Sequence, residues 1–188
     1  MSQGRKIVVA ITGASGSIYA KRLLDYLEQM PDQYACINLV FSNNAKEVWK
    51  HELEGENFND YGFKEYEPND FYAPFASGSA GYDTMIICPS SMGTIGRIAN
   101  GISNDLISRA ADVILKEGKQ LILVPRETPF NLIHLRNMTQ LTEAGATIIP
   151  AIPSFYSKPE TIEDIVDTVV HRVLLRAGFE LESFQWGE

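Results

Sequence analysis

Five short, mostly apolar runs, at residues 7–12, 36–41, 85–88, 121–124 and 147–149, are each followed by turn residues or a helical pattern. Continuous apolar strands have no face to offer water, and strands that alternate with helices need crossovers lying on the sheet. This rhythm therefore predicts a parallel sheet covered on both faces. The expected fold is a three-layer, doubly wound, Rossmann-like α/β domain of about five to six strands, with residues 1–188 as one unit. A chain of this length buries about 70% of its unfolded surface, so it needs no disulfide or metal to fold.

Elsewhere the pattern is helical or broken. Ile162, Ile165, Val166, Val169, Val170, Val173 and Leu174 form a helical apolar stripe, and Ser157-Lys158-Pro159-Glu160 ahead of it reads as a capping box. Asp164, Thr168 and Arg172, spaced by four on the opposite side, read as a solvated face. Over residues 105–116, Asp105, Arg109, Asp112 and Lys116 line one stripe, while Leu106, Ala110, Val113 and Ile114 line another. Residues 52–81 interrupt the rhythm. They are polar, aromatic and rich in Asn, Gly and Pro, and read as an irregular interfacial segment with one short strand near 63–66. Residues 178–188 read as a C-terminal tail.

Charge and cysteine usage narrow the function. A net charge of −8 argues against a general nucleic-acid binder, so any anion site must be local. Cys36 and Cys88 lie in strand-like runs and read as buried, reduced thiols, which sets the expectation of a cytoplasmic protein. The apolar run at 7–11 is too short for a signal-peptide core or a membrane span. His51, His134 and His171 show no metal spacing, and no Ser-His-Asp order stands out, so neither a metal nor a hydrolase triad is expected.

Chemistry-bearing residues gather after the strands. Gly13-Ala14-Ser15-Gly16-Ser17 follows the first strand and opens a helix from about residue 18, where small residues let backbone N–H groups reach an anion. It is not the Gly-x-Gly-x-x-Gly fingerprint, and Ser42 stands where a dinucleotide site would have its acid, so a flavin or a single phosphate suits it better than NAD. Cys88-Pro89-Ser90-Ser91-Met92-Gly93-Thr94 is a second such loop, equally readable as a helix cap. After the fourth run, Pro125 and Pro129 bracket Arg126 and Glu127 in a stiff turn. Ser15, Ser42, Ser91 and Arg126 thus all follow carboxyl ends of strands, where open α/β sheets bind ligands. Glu52 alone reads as a surface acid, and Tyr156 either as an apolar staple or as a phenol donor to phosphate.

Taken together, Thr12-Gly13-Ala14-Ser15-Gly16, the Cys-Pro-Ser-Ser-Met-Gly-Thr loop, Arg109 to Asp112 with Lys116, Val124-Pro125-Arg126-Glu127-Thr128-Pro129, and Pro153 to Tyr156 with Arg172 resemble the UbiX-type flavin prenyltransferases over nearly the whole chain. The related flavin-containing cysteine decarboxylases share a Pro-x-Ser-x-x-Thr loop, which Pro89, Ser91 and Thr94 fill. Gly93 replaces their asparagine, and they lack the Arg-Glu-Thr-Pro block. The resemblance implies that a dimethylallyl group is moved from dimethylallyl phosphate to N5 and then C6 of reduced FMN, giving prenylated FMN for a UbiD-type decarboxylase. It implies FMN contacts from Gly13, Ala14, Ser15, Ser42, Ser91, Met92, Gly93, Thr94 and Arg126, and donor contacts from Lys116, Tyr156, Arg172 and Arg109. Catalytic roles fall to Ser15, Glu52 and Glu127.

These residue types suit that reaction. Breaking an allylic carbon–oxygen bond leaves phosphate at one end and a delocalised cation at the other. Lysine, tyrosine and arginine stabilise the first through charge-assisted hydrogen bonds, without a metal. A protonated Glu127 would improve the leaving group, and Ser15 with Glu52 would accept a flavin proton. Phe71, Tyr72 and Phe75 read as an exposed apolar segment that wants a partner, in line with the dodecamers of the resembled family. Phe184-Gln185-Trp186 reads as a tail closing over a neighbour's donor site. Two other readings stay open: an FMN-dependent cysteine-type decarboxylase, and a non-enzymatic flavin carrier or accessory subunit of a phenolic-acid decarboxylase. Neither phosphate against pyrophosphate donors, nor quinone synthesis against aromatic-acid breakdown downstream, is distinguished by the sequence.

Overall fold

The computed structural model describes residues 4–184 and Gly187, so Gln185 and Trp186 of the expected tail lie outside the described residues. Strands β1 (Arg5–Ile11), β2 (Tyr34–Phe41), β3 (Lys64–Tyr66), β4 (Thr84–Ser90), β5 (Gln120–Pro125) and β6 (Thr147–Ile148) form one sheet. Its order is β3-β2-β1-β4-β5-β6, and every neighbouring pair is parallel. Helices α1 (Ser17–Gln29), α2 (Asn43–Glu52), α3 (Met92–Ala99), α4 (Leu106–Lys116), α5 (Leu132–Glu143) and α6 (Ile162–Arg176) cover it.

Strand periodicity sorts the core into two layers. Ile7, Val9, Ile11, Ile86, Cys88, Ile122 and Val124 face α1, α2 and α6. Val8, Ala10, Met85, Ile87, Leu121 and Leu123 face α3, α4 and α5. Alternate side chains of a strand point to opposite faces, so a strand buried on both reads as continuously apolar, as expected from the sequence. Winding runs outward from β1 to β3 and, in the other direction, from β4 to β6. The order therefore reverses between β1 and β4, and a crevice opens beyond their carboxyl ends.

Several expectations are corrected. The capping box of α6 is Thr161 with Asp164, each side chain bonding the other's backbone N–H, and not Ser157 with Glu160. The helix begins only at Ile162 because the chain turns at Lys158, whose φ of 53° lies in the left-handed region. Ile162, assigned to the apolar stripe, is 66% exposed. Within residues 52–81 the short strand is present as β3 on the sheet edge, together with three 3₁₀ turns. Phe75 is buried against Tyr66 and Tyr82, whereas Phe71 and Tyr72 are exposed as expected. That segment is thus partly core. Cys36 and Cys88 are free thiols, and burial pushes the Cys88 thiol far up, so it stays protonated and inert.

Candidate active site

Three helix N-termini meet the crevice, each positioned by a small residue or hydroxyl at a strand end. The turn after β1 must be glycine at two places for different reasons. A Cβ on Gly13 would lie 2.5 Å from Asn44 Cβ, and Gly16 has a φ of 110°. At α2, the Ser42 hydroxyl accepts from Ala45 N at 3.2 Å. At α3, the Ser91 hydroxyl accepts from Thr94 N at 3.3 Å and lies 3.0 Å from the Thr94 hydroxyl. Thr12, almost fully buried, joins the two sides of the crevice. Its hydroxyl donates to Pro89 O and accepts from Ser91 N, both at 2.8 Å. The sequence reading gave Thr12 no role. Its signal was a lone hydroxyl closing an apolar strand just before a glycine turn.

The anion-seeking amides of α1 are already engaged. Glu52, at the last turn of α2, accepts from Gly16 N at 2.9 Å and from Ser17 N at 2.7 Å. Partial burial disfavours its charge. The hydrogen bonds from Ser15, Ser17 and Gly16 outweigh that and hold the carboxyl below its usual value. Glu52 is therefore ionised at neutral pH, and it sits on the turn that carries Ser15, the residue that the resemblance pairs with it. The anion at this helix terminus is the chain's own carboxylate.

A carboxyl whose folded pKa is depressed stabilises the fold above its unfolded value and loses that contribution as pH falls through the folded one. Glu52→Gln should thus be less stable than the parent by about 0.5–1 kcal/mol at pH 7, after allowance for its solvent exposure. The two proteins should converge as pH falls through the depressed folded pKa of Glu52. Urea unfolding across that range checks this, and a difference that persists at low pH would contradict it.

The remaining edge is built by β5. Arg126 N donates to Ser90 O at 3.4 Å, and its Nε donates to Ser15 O at 2.9 Å. The guanidinium is thereby fixed across the crevice, and its Nη groups make no further hydrogen bond among the described residues. Glu127 is exposed, with its carboxylate accepting from Thr128 N at 3.0 Å. Ala151 N donates to Pro125 O at 2.9 Å, which lays the chain after β6 alongside this turn. A Cβ on Gly93 would meet only Arg97 Nη1, at 3.8 Å, and Met92 packs into the core beneath. The Ser90 hydroxyl is fully buried with no partner.

A cavity of about 1410 Å³ lies between the stretch after β6 and α6, with Tyr156, Lys158, Asp167, Thr168, His171 and Arg172 among its lining. Tyr156 and Arg172 are therefore brought to one groove. Lys116 is not. It ends α4 on the opposite face of the sheet, at the edge where β5 begins, and its ammonium contacts Glu117 at 2.6 Å. Arg109 is likewise engaged within the chain, with Ala76 O at 3.1 Å and Asp112 at 3.1 Å. The expected three-residue cluster around phosphate is thus not assembled by one chain. Among the described residues no group of His, Cys, Asp and Glu is arranged to hold a metal, and no helix is long and apolar enough to cross a membrane.

The switch-point crevice is ringed by the Ser42, Ser91 and Thr94 hydroxyls and by Arg126, and the Flavoprotein family model matches residues 1–174. Among curated proteins, the flavin prenyltransferase UbiX of Methanocaldococcus jannaschii is 46% identical over 185 residues, covering 97% of this chain and 98% of that protein. The chain belongs to the UbiX flavin prenyltransferase family. Among solved structures, a dodecameric FMN-dependent UbiX-like decarboxylase from Escherichia coli O157:H7 superposes with a TM-score of 0.91 at 40% identity, over 97% of this chain and all of that one. AnUbiX (PadA1) in complex with FMN and dimethylallyl pyrophosphate gives 0.90 at 40% identity, over 98% of this chain and all of that one.

Proposed function

We propose that this protein transfers a dimethylallyl group from dimethylallyl phosphate to N5 and C6 of reduced FMN, and passes the product to a UbiD-type decarboxylase. One observation carries the reading: Ala151 N donates to Pro125 O, which runs the stretch leading to the Tyr156–Arg172 groove beside the turn that carries Arg126 and Glu127 at the edge of the crevice. The residues fit FMN. The open space at Gly93 and the Ser42, Ser91 and Thr94 hydroxyls supply room and hydrogen-bonding groups for a heterocycle and a phosphate monoester. Gly13, Ala14, Ser15, Ser42, Ser91, Met92, Gly93, Thr94 and Arg126 would hold it. Reduced FMN, when bound, supplies an electron-rich nucleophile that also stabilises a neighbouring cation.

The chain's residues do the rest. Tyr156 and Arg172 bind the donor phosphate and stabilise the charge that grows there as the carbon–oxygen bond breaks. Glu127 delivers a proton to the departing phosphate oxygen. As the second ring bond forms, Ser15 would take up the proton lost from flavin C6 and pass its own to the ionised Glu52 carboxylate. Lys116 and Arg109 join from a neighbouring copy in a homo-oligomer. The opposite placement of Lys116 within one chain and the exposed Phe71 and Tyr72 support this, and a dodecamer is the expected size. The free thiols of Cys36 and Cys88 support a reducing, cytoplasmic setting.

Phosphate release tests the assignment. Under anaerobic conditions, the oligomer mixed with dimethylallyl phosphate should release one equivalent of inorganic phosphate per reduced FMN supplied. Release that ignores flavin, or none with flavin present, would overturn the proposal.

A further inference from the structure

Asp164, Thr168 and Arg172 lie one turn apart along one side of α6, the side read from sequence as merely solvated. Asp164 and Thr168 instead engage the stretch that walls the Tyr156–Arg172 groove. The Thr168 hydroxyl donates to Ile165 O at 2.7 Å and thereby turns its lone pair outward to accept from Ser154 N at 3.1 Å. Four residues earlier, Asp164 accepts from Glu160 N at 3.1 Å and from Thr161 N at 3.0 Å. Between these two anchors the chain makes a tight turn, with Lys158 N donating to Phe155 O at 3.1 Å and Lys158 itself at a φ of 53°. Tyr156 sits on that turn and Arg172 one turn beyond Thr168, both lining the same cavity.

We propose that residues 154–160 form a strap pinned to α6 by Thr168 and Asp164, and that Thr168 is a positioning residue that sets the spacing between Tyr156 and Arg172 for a phosphate monoester. The inference rests on the donor-groove reading above and adds the element that makes the groove the right width. A side-chain hydroxyl suits this task, because it fixes a backbone amide at one point of an otherwise exposed segment while leaving the groove open. The hydrogen bonds from Thr161 and Glu160 also hold the Asp164 carboxyl below its usual value, so that anchor remains charged through the neutral range.

Thr168→Val keeps the shape of the side chain but removes both donor and acceptor, and Thr168→Ser restores them. In the flavin-loaded oligomer, Thr168→Val should raise KM for dimethylallyl phosphate about fivefold, the worth of one neutral hydrogen bond. FMN affinity should be unchanged, kcat nearly so, and Thr168→Ser should return KM to the parent value. An unchanged KM in Thr168→Val, or a serine variant as impaired as valine, would overturn the proposal. Amide hydrogen exchange provides a reading that needs no donor. Exchange at Ser154 and Tyr156 should quicken in Thr168→Val and not in Thr168→Ser, and equal protection in all three proteins would equally refute the strap. Loss of turnover in the parent itself, with the exchange difference intact, would instead indict the donor assignment.

Discussion

Replacing Glu127 by glutamine should slow prenyl transfer by about 100- to 10,000-fold, the range of a lost general acid, while leaving FMN binding intact. Glu127 follows Arg126 on the turn after β5, its carboxylate touching only Thr128 N among the described residues, so it is spare for chemistry. Arg126 reaches across to Ser15 O and holds the turn, and Ala151 on Pro125 O brings the Tyr156 stretch to the same edge. A phosphate is a poor leaving group as a dianion and a better one as a monoanion. Glutamine keeps the size of the side chain and abolishes proton delivery, so the loss should appear in single-turnover rates and weaken the pH dependence of donor cleavage. Parent-like rates across pH would show that the proton comes from elsewhere.

Trp49→Ala should destabilise the protein by about 3–5 kcal/mol, lowering Tm by about 6–20 °C in a chain of this size. Trp49 is fully buried on α2 and packs edge-on to Phe41, Phe58 and Tyr61, with its Nε1 donating to Glu56 O at 3.1 Å. The indole thus joins β2, α2 and the irregular segment after it. Glu52 lies three residues further along the same helix, so loosening this cluster also withdraws the carboxylate from Gly16 and Ser17. Trp49→Phe should lose considerably less, because it keeps a ring in the cluster. Thermal and urea unfolding measure both, and a loss below about 1 kcal/mol for the alanine variant would mean that the site collapses around the cavity.

The central strands were legible because a parallel strand buried on both faces leaves no polar gaps, which is why β1, β2, β4 and β5 stand out as runs. Helix α6 was legible as a period but not in its detail. Its start depends on where Lys158 turns the chain, a backbone choice that no apolar spacing reports. Phe75 looked like an interface residue because it sits among glycines and prolines. Its burial comes from Tyr66 and Tyr82, contacts between segments that sequence spacing does not order. At the site, Ser42, Ser91 and Arg126 could be read from their places after strands. Glu52 could be assigned only through resemblance, since the amides it caps lie 35 and 36 residues away in sequence. Lys116 was legible as a charge but not as a neighbour. One chain places it behind the sheet, and grouping it with Tyr156 and Arg172 requires a second copy.

The most direct test is the mass of the flavin itself. Reduced FMN and dimethylallyl phosphate incubated with the oligomer without oxygen, then extracted, should yield a flavin heavier by one C5H8 unit, with the Arg172→Gln protein forming it far more slowly. A flavin recovered at its starting mass, from protein shown to bind both FMN and the donor, would contradict the claim that this protein joins them.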